Sequence, residues 1–475
     1  MIKKVSPRQI APFLILAAVA IAALFIPAFP HYEDKAGAYS AADIAWIIVA
    51  TALVFLMTPG LAFFYGGMVH RKNVISTMIK SVVAAGVVGV LWVVVGFSLA
   101  FGKSIGGFIG DPSTFLFFKD VMSGAPVIGP AAGDTAIKLT IPLGLFAMFQ
   151  MMFAVITPGL VVGAVAERIR FTSYILFTVL FSLLVYAPLA HWSWSPEGFL
   201  FKWGVLDFAG GTVVHISAGC AALAGALVLK RRKVHIENKE IPPANVPYVL
   251  IGTGLLWFGW FGFNAGSALG ANALSVSAFA TTNTAAAAAG LSWMFFDVLR
   301  GKKPSVLGFC IGAVVGLVAI TPAAGFVAIP QSIFIGAVAA IISNIAVFYK
   351  QKSRLDDTLD VFPCHGIGGM VGMLMTGLFA TKTVNAAGND GWFYGNFDFF
   401  FTQVKALVIV VAFSFTASYI IFKFINFILP MRVTEEEEEL GLDATQHNEK
   451  YLQGTLLVQK NGLMKEEVEE EAITE

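Results

Sequence analysis

The chain has 475 residues, of which 57% are hydrophobic and only 13% are charged, and its formal net charge is +1. Its mean hydropathy is +0.78. Such an apolar composition excludes a water-soluble globular domain and is typical of a polytopic membrane protein, and the near-neutral charge does not indicate a nucleic acid partner.

The first apolar segment covers residues 11 to 29 and follows Lys3, Lys4 and Arg8. A basic stretch before a short apolar run is typical of a signal peptide, although no clear cleavage motif follows this one. An uncleaved anchor is the alternative interpretation. Either way, we expect residues 1 to 40 to form a leader or anchor that delivers the following chain to the external side of the membrane.

Eleven further apolar runs lie between residues 41 and 430. A helix needs about 20 residues to cross the hydrocarbon core, and the runs lack the strict alternation of barrel strands. They predict an all-α membrane domain with eleven transmembrane helices, the last of which is long. The predicted spans are 42–64, 75–101, 141–165, 171–190, 211–230, 246–268, 274–299, 304–324, 329–349, 358–380 and 402–428.

Lysine and arginine are concentrated in alternate loops between these spans. The loops after the first, third, fifth, seventh and ninth spans each contain several basic residues, whereas the opposite loops contain only isolated ones. Cytoplasmic loops are enriched in lysine and arginine. We therefore expect a multi-pass protein of the inner (plasma) membrane whose bundle begins outside and whose C-terminus is cytoplasmic.

Residues 431 to 475 form the soluble end of the chain. From Val433 onward they include thirteen acidic residues and three lysines. Such a charge run predicts a solvated, partly disordered cytoplasmic tail with a regulatory role. The part from Glu435 to Gln446 follows the last span directly, so it could lie against the cytoplasmic face.

Three cysteines are the candidates for disulfide or thiol chemistry. Cys220, Cys310 and Cys364 lie in or at the ends of spans and have no paired spacing. This pattern favours buried apolar side chains over a disulfide framework or a zinc site.

Two histidines lie inside apolar runs, where an ionisable side chain is costly and indicates a functional site. His215 begins the fifth span and His365 the tenth, and the same offset relates the Thr-Pro pairs that begin at Thr157 and Thr321. Elements five spans apart enter the bilayer in opposite directions, so this pattern predicts an inverted five-helix repeat with a site between its halves. For either histidine alone, a packing role with a bond to a backbone carbonyl remains open.

An aspartate precedes each histidine, Asp207 in the first half and Asp360 in the second. Aspartate accepts backbone N–H bonds at helix N-termini and favours the positive end of the helix dipole. We therefore expect both residues to support the site structurally, with direct ligation of a cation as the alternative.

Two histidines on separate membrane helices could also be the axial ligands of a haem. The sequence offers only one such pair, and phenylalanine-rich surroundings are ordinary for a pore. Haem ligation is therefore the weaker hypothesis, and neither a cofactor nor a metal is predicted.

Several segments together resemble the ammonium transporter family (Amt/Mep/Rh), in particular its Amt-type members. Each segment alone would be a weak signal, but the set is specific and extends over about residues 42 to 445. The matching segments are AFFYGG (62–67), AERIRF (166–171), DFAGGTVVHI (207–216), WFGWFGFNAGSA (257–268) and DDTLDVFPCHG (356–366).

This resemblance implies a homotrimer with one pore per subunit, each built from two inverted five-helix repeats and a last long helix. The family's pore histidines match His215 and His365, Trp260 matches an aromatic wall beside them, and Asp207 matches a supporting aspartate. The family's outer recruitment site matches Trp194, Ser267, Phe149 and Phe153. Its two stacked gate phenylalanines match Phe153 and Phe263.

The resemblance implies transport of ammonium, with methylammonium as an analogue, and no enzymatic activity. An aromatic cage attracts a cation by about 0.5 to 2 kcal/mol, and the Ser267 hydroxyl can accept a hydrogen bond that K+ cannot donate. An ion faces a high cost in an apolar tube, so we expect NH4+ to lose its proton at the gate and NH3 to cross the pore. A proton relay through the histidines would make transport electrogenic. An electroneutral NH3 channel and an ammonium sensor with low transport remain alternatives.

The tail adds a candidate partner. Bacterial and archaeal members of the family bind a PII signalling protein at the cytoplasmic face, and the segment EEEEELGLD (435–443) resembles their tails. The following residues, His447 to Tyr451, depart from the family's usual ending. Asn448 replaces a glycine there, and asparagine tolerates a positive φ next best.

Overall fold

The computed structural model describes residues 7–27, 39–123, 126–129 and 136–451 of the chain. Residues 452–475, which make up most of the tail, lie outside the described residues. The main helices are α1 Pro7–Leu24, α2 Ala41–Met68, α3 Arg71–Phe101, α4 Leu143–Val165, α5 Phe171–Lys202, α6 Gly211–Leu229, α7 Val246–Ala265, α8 Ala273–Leu299, α9 Val306–Ile320, α10 Ile329–Gln351, α11 Phe362–Phe379, α12 Phe397–Ile428 and α13 Glu435–Leu440.

Helices α2 to α12 occupy the eleven positions predicted from sequence. Within the described residues, nine of these helices are long and apolar enough to cross a membrane. The other two are α9, with only 15 residues, and α8, with a polar Thr-Thr-Asn-Thr run near its middle. The predicted class, an all-α polytopic membrane protein, is confirmed. Helix α1, Pro7–Leu24, overlaps with the predicted N-terminal apolar segment 11–29, whose last two residues lie outside the described residues.

The bundle has an interior layer of helices and an exterior layer. In the most apolar stretch of each helix, 89% of the residues of α4 and 83% of those of α6 are buried, compared with 33% in α3 and in α12. The exterior helices keep large apolar side chains exposed, such as Phe427 and Val276. An exposed apolar exterior suits a surrounding of lipid, so α4 and α6 form the centre of the membrane domain.

Small residues allow three helices of the second half to approach closely. A Cβ on Gly316 of α9 would lie 2.5 Å from the carbonyl oxygen of Ala285 in α8, and a Cβ on Gly336 of α10 would overlap with the same carbonyl group. Small side chains at helix interfaces let the backbones of membrane helices approach. Helices α8, α9 and α10 therefore form a tight layer.

A long loop between α3 and α4 contains short strands that the sequence did not predict. Strand β1 (Ser104–Ile105) pairs antiparallel with β2 (Ile109–Gly110), and β3 (Val127–Ile128) pairs antiparallel with β4 (Ile137–Lys138). The His191 Nε2 atom of α5 lies 2.8 Å from the Ser104 hydroxyl oxygen, which fixes the first hairpin to the bundle. We call this end of the bundle the loop face.

The opposite end, which we call the tail face, contains a buried ion cluster. The Arg232 guanidinium donates to both carboxylate oxygens of Asp356 at 2.9 and 3.0 Å and also pairs with Glu167. Burial acts to raise the pKa of Asp356, but Arg168 and Arg232 outweigh it and hold that pKa below its usual range. Burial lowers the pKa of Arg168 to about 10. The cluster joins the loop after α4 to the segment before α11.

The described part of the tail folds back on the tail face. Arg170 donates two hydrogen bonds to the Glu437 carboxylate, at 2.7 and 3.0 Å. The Asp443 carboxylate accepts bonds from the backbone N–H groups of Ile75 and Ser76 at the start of α3. The segment from Glu435 to Gln446 therefore packs on the tail face, one of the arrangements that the sequence allowed, and Asn448 has a positive φ of 56°.

All three cysteines are buried and unpaired, as the sequence predicted. Cys220 and Cys310 lie within α6 and α9. Cys364 lies in the first turn of α11, directly before His365.

Candidate functional site

An aromatic cluster lies near the loop face where α4, α5 and α7 meet. The ring centroids of Phe149 and Phe153 are 4.9 Å apart, and those of Phe153 and Trp194 are 5.9 Å apart. Both pairs are edge-to-face, a favourable geometry for aromatic rings. The structure therefore brings together three residues of the predicted recruitment site.

The fourth predicted residue, Ser267, follows the end of α7. Its hydroxyl donates a 2.8 Å hydrogen bond to the Phe263 carbonyl, which leaves the hydroxyl oxygen able to accept one. A Cβ on the preceding Gly266 would lie 2.9 Å from the Phe149 ring, so this turn borders the aromatic cluster. The Trp194 indole N–H donates to the Asp207 carbonyl at 3.0 Å, which fixes the indole ring.

Phe153 and Phe263 separate this cluster from the interior. Their ring centroids are 4.2 Å apart with an interplanar angle of 35°, and both side chains are almost completely buried. The Phe263 ring is also stacked beside the His215 ring, with centroids 6.0 Å apart and an interplanar angle of 29°. The two predicted gate residues therefore touch, and one of them, Phe263, lies beside the first histidine.

His215 and His365 contact each other in the bundle centre. Their Nδ1 atoms are 3.4 Å apart, their ring centroids are 5.5 Å apart, and both side chains are at least 97% buried. A neutral imidazole has one donor and one acceptor nitrogen. A hydrogen bond between the Nδ1 atoms therefore requires opposite tautomers in the two rings. Direct contact also leaves no space for a porphyrin between the rings, which contradicts the haem hypothesis.

Both histidines lie in π-helical turns, Gly211–Ile216 in α6 and Phe362–Ile367 in α11. Such turns are rare among helices in general, and those that occur are frequently found at functional sites. A Cβ on Gly219 would overlap with the backbone of Gly366. Because neither residue has a side chain, α6 and α11 can approach closely enough for the two imidazoles to meet.

A narrow cavity of about 10 Å³ adjoins the histidine pair. That volume is close to the minimum for one water molecule, and an NH3 molecule is similar in size. The lining is apolar apart from the two imidazoles and the indole of Trp260, and it comprises Met57, Leu61, Phe64, Ile156, Leu160, Val214, His215, Leu256, Trp260, Phe263, Val314 and His365. Within the described part of the chain, the His215 Nε2 atom has no hydrogen-bond partner.

The Trp260 indole lies against His215, the position where the family resemblance implies an aromatic wall. The two rings are stacked with centroids 5.2 Å apart and an interplanar angle of 22°. The indole N–H donates to the Thr321 hydroxyl at 2.9 Å. Sequence reasoning identified the Thr-Pro pair at 321 as a repeat but assigned no role to its hydroxyl.

Asp207 caps the helix that contains His215. Its carboxylate accepts bonds from the backbone N–H groups of Gly210, Gly211 and Thr212, at 2.6 to 2.8 Å, and from the Thr212 hydroxyl. Four donors occupy this carboxylate, the capping arrangement expected for an aspartate at a helix N-terminus. Because both carboxylate oxygens of Asp207 already accept these hydrogen bonds, they have few free lone pairs with which to bind a cation.

The corresponding cap of α11 is Asp357, which corrects the prediction for Asp360. The Asp357 carboxylate accepts bonds from the N–H groups of Val361 and Phe362 at 3.0 and 2.7 Å, whereas Asp360 pairs with Lys350 at 2.7 Å. The sequence contained a usable signal, because the separation of eight residues from Asp207 to His215 recurs from Asp357 to His365. Asp360 lies too close to the first turn and has a positive φ of 58°.

No group of three or more histidine, cysteine, aspartate or glutamate side chains within the described ranges is arranged to hold a metal ion. What the site can offer is a cation-attracting aromatic cluster, a dry barrier and a pair of imidazoles that can donate and accept protons. These elements follow one another from the loop face into the bundle centre.

The comparisons with known proteins agree with this geometry. The protein-family model described as Ammonium Transporter Family matches residues 45–451 of the chain. The ammonium transporter of Bacillus subtilis (strain 168) is 46% identical over 417 residues, which cover 87% of this chain and 99% of the relative. The crystal structure of Saccharomyces cerevisiae Mep2 is similar with a TM-score of 0.78 and 36% identity, over 85% of this chain and 92% of that one. The solved structure of a protein named Sensor Amt Protein is similar with a TM-score of 0.76 and 31% identity, over 86% of this chain and 98% of that one.

Proposed function

Because the chain belongs to the ammonium transporter family, we propose that it transports ammonium by capturing NH4+ at the loop face, removing one proton and passing NH3 through the histidine pore. One observation carries this proposal. Phe263, which contacts Phe153, lies beside His215, and Phe263 lines a cavity of about one-molecule size together with the contacting His215 and His365.

Capture is the task of the aromatic cluster at the loop face. A cation over an aromatic face gains about 0.5 to 2 kcal/mol, more as it loses water, and Phe153 packs edge-to-face against both Phe149 and Trp194 there. The Ser267 hydroxyl already donates its proton to a carbonyl, so its oxygen is left to accept an N–H bond from the substrate. This acceptor favours NH4+ over K+, which has no proton to donate.

Loss of the proton follows from the barrier that comes next. Moving an unpaired ion into an apolar site costs far more than moving a neutral molecule, which loses only hydrogen bonds. Hydrophobic constrictions of this kind exclude water, and the phenylalanine pair leaves no open channel between its rings. NH4+ therefore gives up its proton at the pair, with the imidazoles of His215 and His365 as the proton acceptors, and K+ is rejected there.

The histidine pair supports the passage of NH3 and of the released proton. A neutral imidazole can accept from NH3 through one nitrogen and donate through the other. When the Nε2 atom of one ring takes up the released proton, the proton between the two Nδ1 atoms, which are 3.4 Å apart, can move to the second ring. The Nε2 atom of the second ring then gives up its own proton, and the two rings have exchanged tautomers. Transfer of NH3 and H+ to the same side amounts to net movement of one charge per ammonium.

The membrane context extends this proposal. The alternation of basic loops supports a loop face outside and a tail face in the cytoplasm of an inner (plasma) membrane protein. The family resemblance supports a homotrimer with one pore per subunit. The inverted repeat is supported by the paired caps, Asp207 for α6 and Asp357 for α11, and by the π-helical turns that follow them.

The docked tail supports regulation by a PII signalling protein at the tail face. Asp443 caps α3, and the Tyr451 hydroxyl accepts a 2.8 Å bond from the Asn245 side chain, so the divergent ending is still attached to the bundle. A pull-down of PII with and without nucleotide effectors, on the full chain and on a chain ending at residue 433, tests this partner. Equal PII retention by both chains would exclude the tail as the docking element.

Current measurement on reconstituted protein tests the transport mechanism. Solid-supported-membrane recordings with NH4+ pulses should give a current, and K+ pulses should give none. His215→Ala and His365→Ala should each abolish the current or make it unselective. His235→Ala, which removes a histidine from the tail face, is the control and should retain it. Wild-type currents with intact K+ exclusion in both pore variants would refute the pore role.

The same recordings separate the other candidate functions. Methylammonium uptake without any current would indicate an electroneutral NH3 channel. Specific ammonium binding with neither current nor uptake would indicate a sensor. The similarity of the chain to the protein named Sensor Amt Protein is the observation that favours this second role. Absence of ammonium binding, current and uptake in folded protein would refute the proposal.

A further inference from the structure

Thr321 is a fully buried threonine at the end of α9 whose hydroxyl makes two hydrogen bonds. It donates to the Leu317 carbonyl at 2.7 Å and accepts from the Trp260 indole N–H at 2.9 Å. Its repeat counterpart Thr157 donates to the Phe153 carbonyl at 2.6 Å. The two threonines therefore share the bond to the preceding turn, and Thr321 makes a further bond to an aromatic residue of the pore.

That further bond controls the only polar atom of the Trp260 side chain. The indole ring is stacked on His215 and forms part of the cavity wall, while its N–H donates a hydrogen bond to the Thr321 hydroxyl. Without the hydroxyl, this N–H would be buried and unpaired, which is unfavourable. The His215 ring lines the same cavity, and its Nε2 atom has no hydrogen-bond partner within the described ranges. In the tautomer whose Nδ1 atom carries the proton, Nε2 is an acceptor. An indole freed from Thr321 would therefore turn toward the pore.

The backbone around Thr321 is held between the two histidine helices. A Cβ on Gly211, at the start of α6, would lie 2.6 Å from Pro322, and a Cβ on Gly372 of α11 would lie 3.0 Å from it. The Pro322 carbonyl also accepts a bond from the Phe208 N–H at 3.2 Å. The Thr-Pro segment is thus fixed by contact with both α6 and α11, so the Thr321 hydroxyl has a defined position relative to the histidines.

We propose that Thr321 is a positioning residue of the pore, which holds the Trp260 indole against His215 so that the cavity wall stays apolar and the His215 Nε2 atom stays available to the solute. The inference rests on the proposed function, because it assigns Thr321 to the conduction step. It also assigns a function to one Thr-Pro pair of the repeat and none to the other.

Thr321→Val tests this role, because it removes the hydroxyl with little change in volume. In proteoliposomes, we expect the maximal methylammonium flux to fall by about tenfold, a ratio typical of losing one buried hydrogen bond. The concentration for half-maximal flux should stay within about twofold of wild type, since the aromatic cluster at the loop face is unchanged. Thr321→Ser retains the hydroxyl and should restore the flux. Thr157→Val is the matched control, because it removes the counterpart hydroxyl, which has no bond to an indole in the described structure.

A double-mutant cycle separates positioning from packing. Trp260→Phe removes the indole N–H, so adding Thr321→Val to that variant should cause no further loss of flux. A wild-type flux in Thr321→Val would overturn the inference, as would a Ser variant impaired like the Val variant. Full additivity of the two substitutions would also overturn it.

A second measurement does not depend on transport. In protein with 15N-labelled tryptophan, the Trp260 indole resonance, assigned from its loss in Trp260→Phe, should shift in Thr321→Val and stay unchanged in Thr157→Val. No shift in Thr321→Val would overturn the inference even if the wild-type protein showed no flux. Conversely, missing wild-type flux with the expected shift would contradict the proposed function alone.

Discussion

Replacing Asp207 with alanine tests whether the capping carboxylate determines the position of His215. The carboxylate accepts bonds from three backbone N–H groups at the start of α6 and from the Thr212 hydroxyl, and the side chain is 93% buried. His215 lies in the π-helical turn that follows immediately. Any displacement of this turn moves the imidazole away from its partner.

The expected cost follows from the three orphaned donors. A buried N–H group without a partner costs about 1 to 3 kcal/mol, and the lost charge at the positive end of the helix adds up to about 2 kcal/mol. Taking the lower value for each donor, Asp207→Ala should destabilise the protein by about 3 kcal/mol or more. Asp207→Asn keeps one acceptor oxygen but directs an amide donor at the remaining N–H groups, so its cost should be intermediate.

Thermal unfolding of the purified protein in detergent measures the stability, and methylammonium uptake normalised to folded protein measures the function. Both should fall in Asp207→Ala. Asp398→Ala is the control, because Asp398 is an exposed carboxylate in the first turn of α12, where the dipole contribution is typically about 0.3 to 1 kcal/mol. If Asp207→Ala unfolds at the same temperature as Asp398→Ala and transports normally, the capping argument is refuted.

Three further predictions concern the mouth, the tail and the ion cluster. Trp194→Leu should raise the ammonium concentration for half-maximal current by about twofold to thirtyfold, because the cation–π attraction is lost, and the maximal current should be retained. An unchanged concentration dependence would show that Trp194 does not contribute to ammonium capture. Burial and the nearby Lys80 charge lower the pKa of His447 below its usual 6.5, and Glu449 has a smaller opposite effect. Because the docked tail disfavours the protonated imidazole, docking should weaken as the pH falls below about 6.5. Hydrogen–deuterium exchange should show weaker protection of residues 435–451 at pH 5.5 than at pH 7.5, and His447→Gln should abolish this difference. Greater protection at pH 5.5 would contradict the predicted direction of the pH dependence. Arg232→Met leaves two buried carboxylates unpaired and should destabilise the protein by about 3 to 5 kcal/mol, and an unchanged unfolding temperature would argue against the ion cluster.

The sequence predicted the parts of this structure that depend on one residue and its local surroundings. The cost of an imidazole in an apolar run identified His215 and His365, and hydropathy located the helix at each of the eleven predicted positions. Phe153 and Phe263 were predicted only from the family resemblance, because two phenylalanines among 43 in the chain have no local distinction. Their contact depends on how α4 and α7 cross.

Contacts between distant segments account for what was missed. Asp357 was overlooked because Asp360 is nearer to His365 in sequence, and only the turn geometry decides which carboxylate reaches the helix start. The bond between Thr321 and Trp260 joins residues 61 positions apart, and Asp443 caps a helix that begins more than 360 residues earlier. Periodicity and hydropathy contain no information on such pairings.

The closed stack of Phe153 on Phe263 has a kinetic consequence. In the proposed mechanism, a solute passes only while at least one of the two rings is displaced, and each ring is held by neighbours in a tightly packed interior, where aromatic side chains rearrange rarely. The frequency of that displacement therefore sets an upper limit on turnover, whatever the concentration of ammonium outside. A smaller side chain at position 153 would relax this limit and would also admit water, so speed and selectivity are opposed at a single pair of rings.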